Sequence, residues 1–169
     1  IYAQRIDSNG KPLWTHDGVL VCSEPTLPED FALTGDGLGG AIITWDDRAN
    51  LSDDREDPAF FAPIPVYSQR INPDGEPLWG EKEVLVVSSS PFRPVTPEER
   101  ERGEKGTFTR SRPTYRGCHK VVSDGSGGTI VIWEEEQAGG THVCYAQRFD
   151  DGGQPVWKEG GIPISTISG

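Results

Sequence analysis

One cassette is written three times in this chain, and the recurrence limits the fold to something built from like units. Its copies run from Ile1 to Trp14, Val66 to Trp79 and Cys144 to Trp157, each reading Tyr-x-Gln-Arg, a Gly-containing turn, Pro, an aliphatic residue and Trp. A second cassette, Asp-Gly-x-Gly-Gly followed by an aliphatic run and Trp, precedes two of them, at Asp36–Trp45 and Asp124–Trp133. Repeats of this kind are supersecondary units that bury their apolar faces on one another. Tyr2, Tyr67 and Tyr145 fall in register, as do Arg5, Arg70 and Arg148, and Trp14, Trp79 and Trp157. Trp45 and Trp133 match in the upstream cassette.

Composition points to strands. The chain has 21 Gly, 14 Pro, no Met and 34% hydrophobic residues, which favours short strands joined by turns. The Asn9-Gly10 pair after Ile1–Asp7 signals a hairpin whose second strand spans Gly18–Ser23. Phe31–Thr34, the aliphatic run Ala41–Trp45, the strand of Val66 and a strand after Trp79 make a complete unit. Residues 118–169 make another, with its last strand at Gly161–Thr166. The organisation expected is therefore half a unit at 1–23, a complete unit at 31–90 with a long acidic loop at 46–65, a polar insertion at 91–117, and a complete unit at 118–169. A short helical turn is expected at Pro97–Arg102, behind the Thr96 cap.

Four antiparallel strands per repeat of roughly 40 to 50 residues, stretched by insertions, are the mark of β-propeller blades. The expectation is an all-β fold of four-stranded antiparallel blades, about two and a half of them. The motif Asp-Gly-x-Gly-Gly-aliphatic-Trp, then Asp47-Arg48, Tyr-x-Gln-Arg and Gly-x-Pro-x-Trp, resembles a tandem extracellular bacterial repeat of β-propeller type. The resemblance spans nearly the whole chain outside 91–117, and the last unit departs from it by carrying Glu135-Glu136 in place of Asp47-Arg48. It implies a secreted or cell-surface setting. Propellers close with about four to eight blades, so the chain is expected to be part of a longer polypeptide or of an assembly that completes a ring. The absence of an initiator Met at Ile1 is read in the same sense.

Charge narrows the partners. Acidic residues outnumber basic ones 27 to 16, a net charge of −11, and no Lys/Arg stripe is present, so nucleic acid and anionic membrane are poor partners. No apolar run reaches the roughly 18 to 20 residues of a membrane span. Cys22, Cys118 and Cys144 fit no zinc spacing, and Cys22 and Cys144 replace aliphatic residues of the other copies, which predicts buried thiols.

Residues that recur in every copy are read as structural, because active sites rarely repeat with the fold. Arg5, Arg70 and Arg148 are expected to be ion-pair staples within each unit, with Asp47 and Glu135 as the acidic partners. The Trp residues are expected to pack between units. Asp46, Asp47, Asp53, Asp54 and Asp57, with Glu56, form an acidic cluster that is either a solvated loop or a weak Ca2+ site; it lacks the spacing of a Ca2+-binding loop. His16, His119 and His142 sit at unrelated positions. No catalytic residues and no other cofactor are assigned. Three functions follow as expectations: a non-catalytic scaffold for protein or glycan contact; a polysaccharide hydrolase or lyase using carboxylates of Asp46–Asp57 or Glu134–Glu136; and a structural subunit that completes a larger assembly.

Overall fold

The computed structural model describes residues 1–22, 28–48, 64–80, 84–87, 119–136 and 142–167. Within them every regular element is a β-strand and every pairing is antiparallel. The strands are β1 (Tyr2–Ala3), β2 (Val19–Leu20), β3 (Pro28–Gly35), β4 (Ala41–Asp47), β5 (Val66–Ile71), β6 (Val84–Val87), β7 (Lys120–Ser123), β8 (Thr129–Glu136), β9 (His142–Phe149) and β10 (Ile162–Ile167). They form a two-stranded sheet, β1-β2, and two four-stranded meanders, β3-β4-β5-β6 and β7-β8-β9-β10. The two meanders carry the full repeat and the small sheet carries its second half.

Register follows the repeat. Trp45 pairs with Tyr67 across β4 and β5, and Trp133 pairs with Tyr145 across β8 and β9. Paired residues share a sheet face, so each Trp lies against its Tyr, with ring centroids 6.3 Å and 5.9 Å apart. Tyr2 differs. Its small sheet has no Trp strand beside it, and its ring is 68% exposed.

Because side chains alternate across a strand, each full sheet offers two apolar faces. One face of the middle sheet presents Ile43, Trp45 and Ile71 to Val21 and Cys22 of the small sheet. Its other face presents Ile42, Val66 and Trp79, which join Val131, Trp133 and Phe149 of the last sheet in two clusters. The sheets are therefore stacked face on face in chain order. Thr129 and Asp36 are wholly buried in the same layers, as is Asp46.

Two expectations need correction. The acidic loop does not begin at Asp46: β4 continues through Asp47, since Asp46 pairs with Val66 and the Asp47 N–H donates to the Pro65 carbonyl at 3.0 Å. A bulge between Glu29 and Phe31 lets β3 follow it that far. The first strand is also shorter than Ile1–Asp7; past Ala3 the ladder continues only as a bridge from Ile6 to Pro12. The helical turn at Pro97–Arg102, the insertion 91–117 and Cys118 lie outside the described residues. Cys22 is buried in the core, as expected, whereas Cys144 is only half-buried and its thiol is free.

Candidate functional site

The recurrent polar residues converge on one device, built from the turn that follows each Tyr-x-Gln-Arg strand. Asp7, Asn72 and Asp150 start the three turns. In each, one side-chain oxygen accepts the N–H groups two and four residues on: Asn9 and Lys11, Asp74 and Glu76, Gly152 and Gln154, all at 2.8 to 3.0 Å. Short polar side chains of this kind replace backbone partners in tight turns. The backbone bonds Gly10 to Asp7, Gly75 to Asn72 and Gly153 to Asp150 repeat as well. The three turns thus hold the second-residue carbonyls of Ser8, Pro73 and Asp151 in the same local frame.

The glutamine of the motif holds the tryptophan. Gln4, Gln69 and Gln147 accept the backbone N–H of Trp14, Trp79 and Trp157 through Oε1, at 3.1, 3.0 and 3.0 Å. Each Nε2 donates to a carbonyl just beyond, that of Thr15, Gly80 or Lys158. Sequence reasoning passed over these glutamines, although they recur in every copy as faithfully as the arginines.

Arginine and tryptophan then reach into the next unit. Arg5 Nη1 and Trp14 Nε1 both donate to the Pro73 carbonyl, at 3.0 and 2.9 Å. Arg70 Nη1 and Trp79 Nε1 both donate to the Asp151 carbonyl, at 3.2 and 2.9 Å. One carbonyl thus takes two donors from the preceding unit, and the clasp is made twice with matching residues. Glycine leaves the space it needs: a Cβ on Gly153 would lie 2.9 Å from Trp79 Cγ, and one on Gly75 3.2 Å from Trp14 Cγ. On Gly10, the matching glycine of the first turn, a Cβ would meet nothing within 4 Å.

The arginine is an ion-pair staple, but its acid is not the one expected. Arg70 meets Asp36 Oδ2 through Nη2 and Nε, each at 2.9 Å, and Arg148 meets Asp124 Oδ2 at 2.9 and 3.2 Å. These are the aspartates of Asp-Gly-x-Gly-Gly, and their other oxygen accepts two N–H groups of that turn: Leu38 and Gly40, or Ser126 and Gly128. The correction follows from alternation and register. Ile42 pairs with Arg70, which places Arg70 on the face opposite Asp47, beside the turn at the start of β4. Glu135 instead accepts the Trp133 indole N–H at 2.9 Å. Arg5 has no aspartate turn in its own small sheet.

These contacts set the acidity of the carboxyls. The Ser126 N–H, opposed by burial and reinforced by Arg148, holds Asp124 down at about 2. Burial raises Asp36, yet the Leu38 N–H and Arg70 outweigh it and the carboxyl falls below its ordinary value. Burial lowers His119, whose Nε2 lies 3.3 Å from the Thr44 carbonyl.

Among the described residues, the remaining expected carboxylates are held apart. Asp46 and Asp47 are consecutive on β4 and so face opposite sides of the sheet. Arg48 Nε stands 3.6 Å from Asp46 Oδ2. Asp53, Asp54, Glu56 and Asp57 lie outside the described residues, among which no group of three or more metal-ligating side chains gathers. Glu134 and Glu135 likewise point apart, Glu134 to His142 Nδ1 at 2.9 Å. No helix is long and apolar enough to cross a membrane among the described residues. Comparisons with family models, with curated proteins and with solved structures find no match for the chain.

Proposed function

We propose that this chain is a non-catalytic module of β-propeller type, secreted or displayed at a cell surface, that serves as a rigid scaffold for contact with protein or glycan. The observation that carries this reading is the occupancy of the repeated polar groups. Arg70, Trp79, Asp36 and Gln69 are each spent on a neighbouring strand, turn or sheet, which leaves none of them to meet a substrate. Sheets stacked in order and tied by a recurring clasp are what radial blade packing requires. Contact surface then falls to the segments that break the repeat, 49–63 and 91–117.

The test is a paired screen. The chain immobilised on a surface is expected to capture a protein or glycan ligand, to lose it when residues 91–117 are deleted, and to turn over no polysaccharide. Turnover of a polysaccharide that disappears in Asp47→Asn would overturn the scaffold and install a hydrolase or lyase.

A second reading has its own observation. In the last sheet, positions that are sealed in the middle sheet stand open: Arg148 is 40% exposed at its side chain where Arg70 is 8%. That favours a structural subunit whose last sheet is covered by another body.

A further inference from the structure

The seam between the middle and last sheets is built mainly of apolar side chains, Ile42, Val66 and Trp79 against Val131, Trp133 and Phe149. A histidine is set into it. His119 stands one residue before β7, in which Lys120 pairs with Ile132 and Val121 with Val131. Lys120 and Val122 are exposed, whereas His119 and Val121 point the other way, and Val121 packs on the cluster of Val131. The His119 residue is 3% exposed, and its Nε2 lies 3.3 Å from the Thr44 carbonyl of β4. Since β7 packs on β3 and β4, this contact crosses from one sheet to the other.

The residue departs from the repeat. Val121 opposite Val131 corresponds to Leu33 opposite Ile43, so the place of His119 in the middle unit is that of Phe31. A position that only packs needs no titratable ring. Neutral imidazole donates one N–H, which the Thr44 carbonyl accepts; imidazolium carries two N–H groups and a charge. A charge closed off from water is costly to hold. The charged groups around the ring are divided in sign: Asp30 of β3 favours the proton and Lys120 opposes it. Asp46, two residues beyond Thr44 on β4, has Arg48 at 3.6 Å, and Glu135 of β8 accepts the Trp133 indole N–H. Burial outweighs the bond to Thr44 and the attraction of Asp30, and holds the imidazole below its ordinary value of 6.5.

We propose that His119 is a proton-operated latch between the middle and last sheets, closing the seam when neutral and loosening it when protonated. The step is the uptake of one proton at the ring, with no covalent change. The closed seam binds that proton less readily than the opened one, in which the ring meets water. Stability is therefore complete above about pH 6.5 and declines as pH falls through the lowered value of the closed form. One proton changes the opening equilibrium by at most about tenfold per pH unit. This decline begins above the range in which Asp36 and Asp124 take up protons, so the two effects of acid are separable. The last sheet is thus held firmly at neutral pH and eased in mildly acidic surroundings. The inference goes beyond the scaffold reading and depends on no ligand.

The experiment is amide hydrogen exchange of the intact chain at about pH 7.5 and about pH 5.5, corrected for intrinsic rates, together with an NMR titration of the His119 ring. Amides of β7 and β8 in the wild type are expected to lose protection by about three- to tenfold on acidification. The ring is expected to titrate below 6.5. His119→Phe, which writes the residue of the matching copy, and His119→Gln, which keeps an N–H for the Thr44 carbonyl, are each expected to show equal protection at the two pH values. His142→Gln should keep the wild-type pattern. Wild-type protection that is the same at both pH values, or a loss that persists in His119→Phe and His119→Gln, overturns the proposal. So does a ring that titrates at or above 6.5, a measurement on the wild type that decides the matter even where neither variant folds.

Discussion

The Arg70 guanidinium and the Asp36 carboxylate meet at 2.9 Å with side-chain exposures of 8% and 0%, and each also serves a second partner: Arg70 the Asp151 carbonyl of the next unit, Asp36 the amides of its own turn. A buried ion pair gives little net stability over an apolar pair, but removing one partner strands the other. Here the pair also aims the guanidinium at the neighbouring turn, so the contact within a sheet sets the contact between sheets.

Arg70→Ala is therefore expected to cost about 3 to 5 kcal/mol, because it leaves Asp36 charged and buried. Arg148→Ala removes a pair whose arginine is 40% exposed and is expected to cost about 1 kcal/mol or less. Urea unfolding of the two variants checks the difference, and equal costs would contradict it.

Acid should act through the same aspartates. Asp124 sits at about 2 in the folded chain against an ordinary value of 3.8, and Asp36 is also lowered. A depressed folded value means that the stabilisation is complete above the ordinary value and is lost as pH falls through the folded one. Stability is thus expected to decline from about pH 4 toward pH 2. The decline should be shallower in Asp124→Asn, as read from urea midpoints at successive pH values.

The clasp glycines separate strain from crowding. Gly10 and Gly153 have φ of 81° and 77°, a region that costs other residues about 1 to 2 kcal/mol. Gly10→Ala is expected to cost that amount. Gly153→Ala adds overpacking against Trp79, a further ~1 to 3 kcal/mol. Thermal unfolding of the two variants measures the gap.

Glu135 has a testable role of its own. Glu135→Ala leaves the indole N–H of Trp133, which is 1% exposed, without its acceptor and is expected to cost about 1 to 3 kcal/mol. Glu135→Gln keeps an acceptor at the same reach and should stay close to wild type. In a Trp133→Phe background the cost of Glu135→Ala should largely vanish, which a double-mutant cycle would show.

Much of this was legible in the residue order, because each repeated position meets a repeated environment. The period matched Trp45 with Trp133 and Tyr67 with Tyr145, and in both sheets the Trp pairs with its Tyr. The turn residues marked the hairpins. The repeat also led to an expected ion pair at Arg5, Arg70 and Arg148, which forms at Arg70 and Arg148, whereas Arg5 bonds to the Pro73 carbonyl. The partner of that arginine was not legible. The acid after each Trp is near in sequence, but pairing Ile42 with Arg70 turns the guanidinium toward Asp36 and away from Asp47. Nor did the spelling of the repeat distinguish Arg70 from Arg148, or Trp79 from Trp157, since each pair sits in the same cassette. What separates them is whether another sheet lies on top. By itself the sequence determined strand, turn and face, which depend on alternation and on a few neighbouring residues. Tertiary structure alone decided which carbonyl Arg5, Trp14, Arg70 and Trp79 grip, because those contacts join residues 59 to 81 positions apart and arise only once the sheets are stacked.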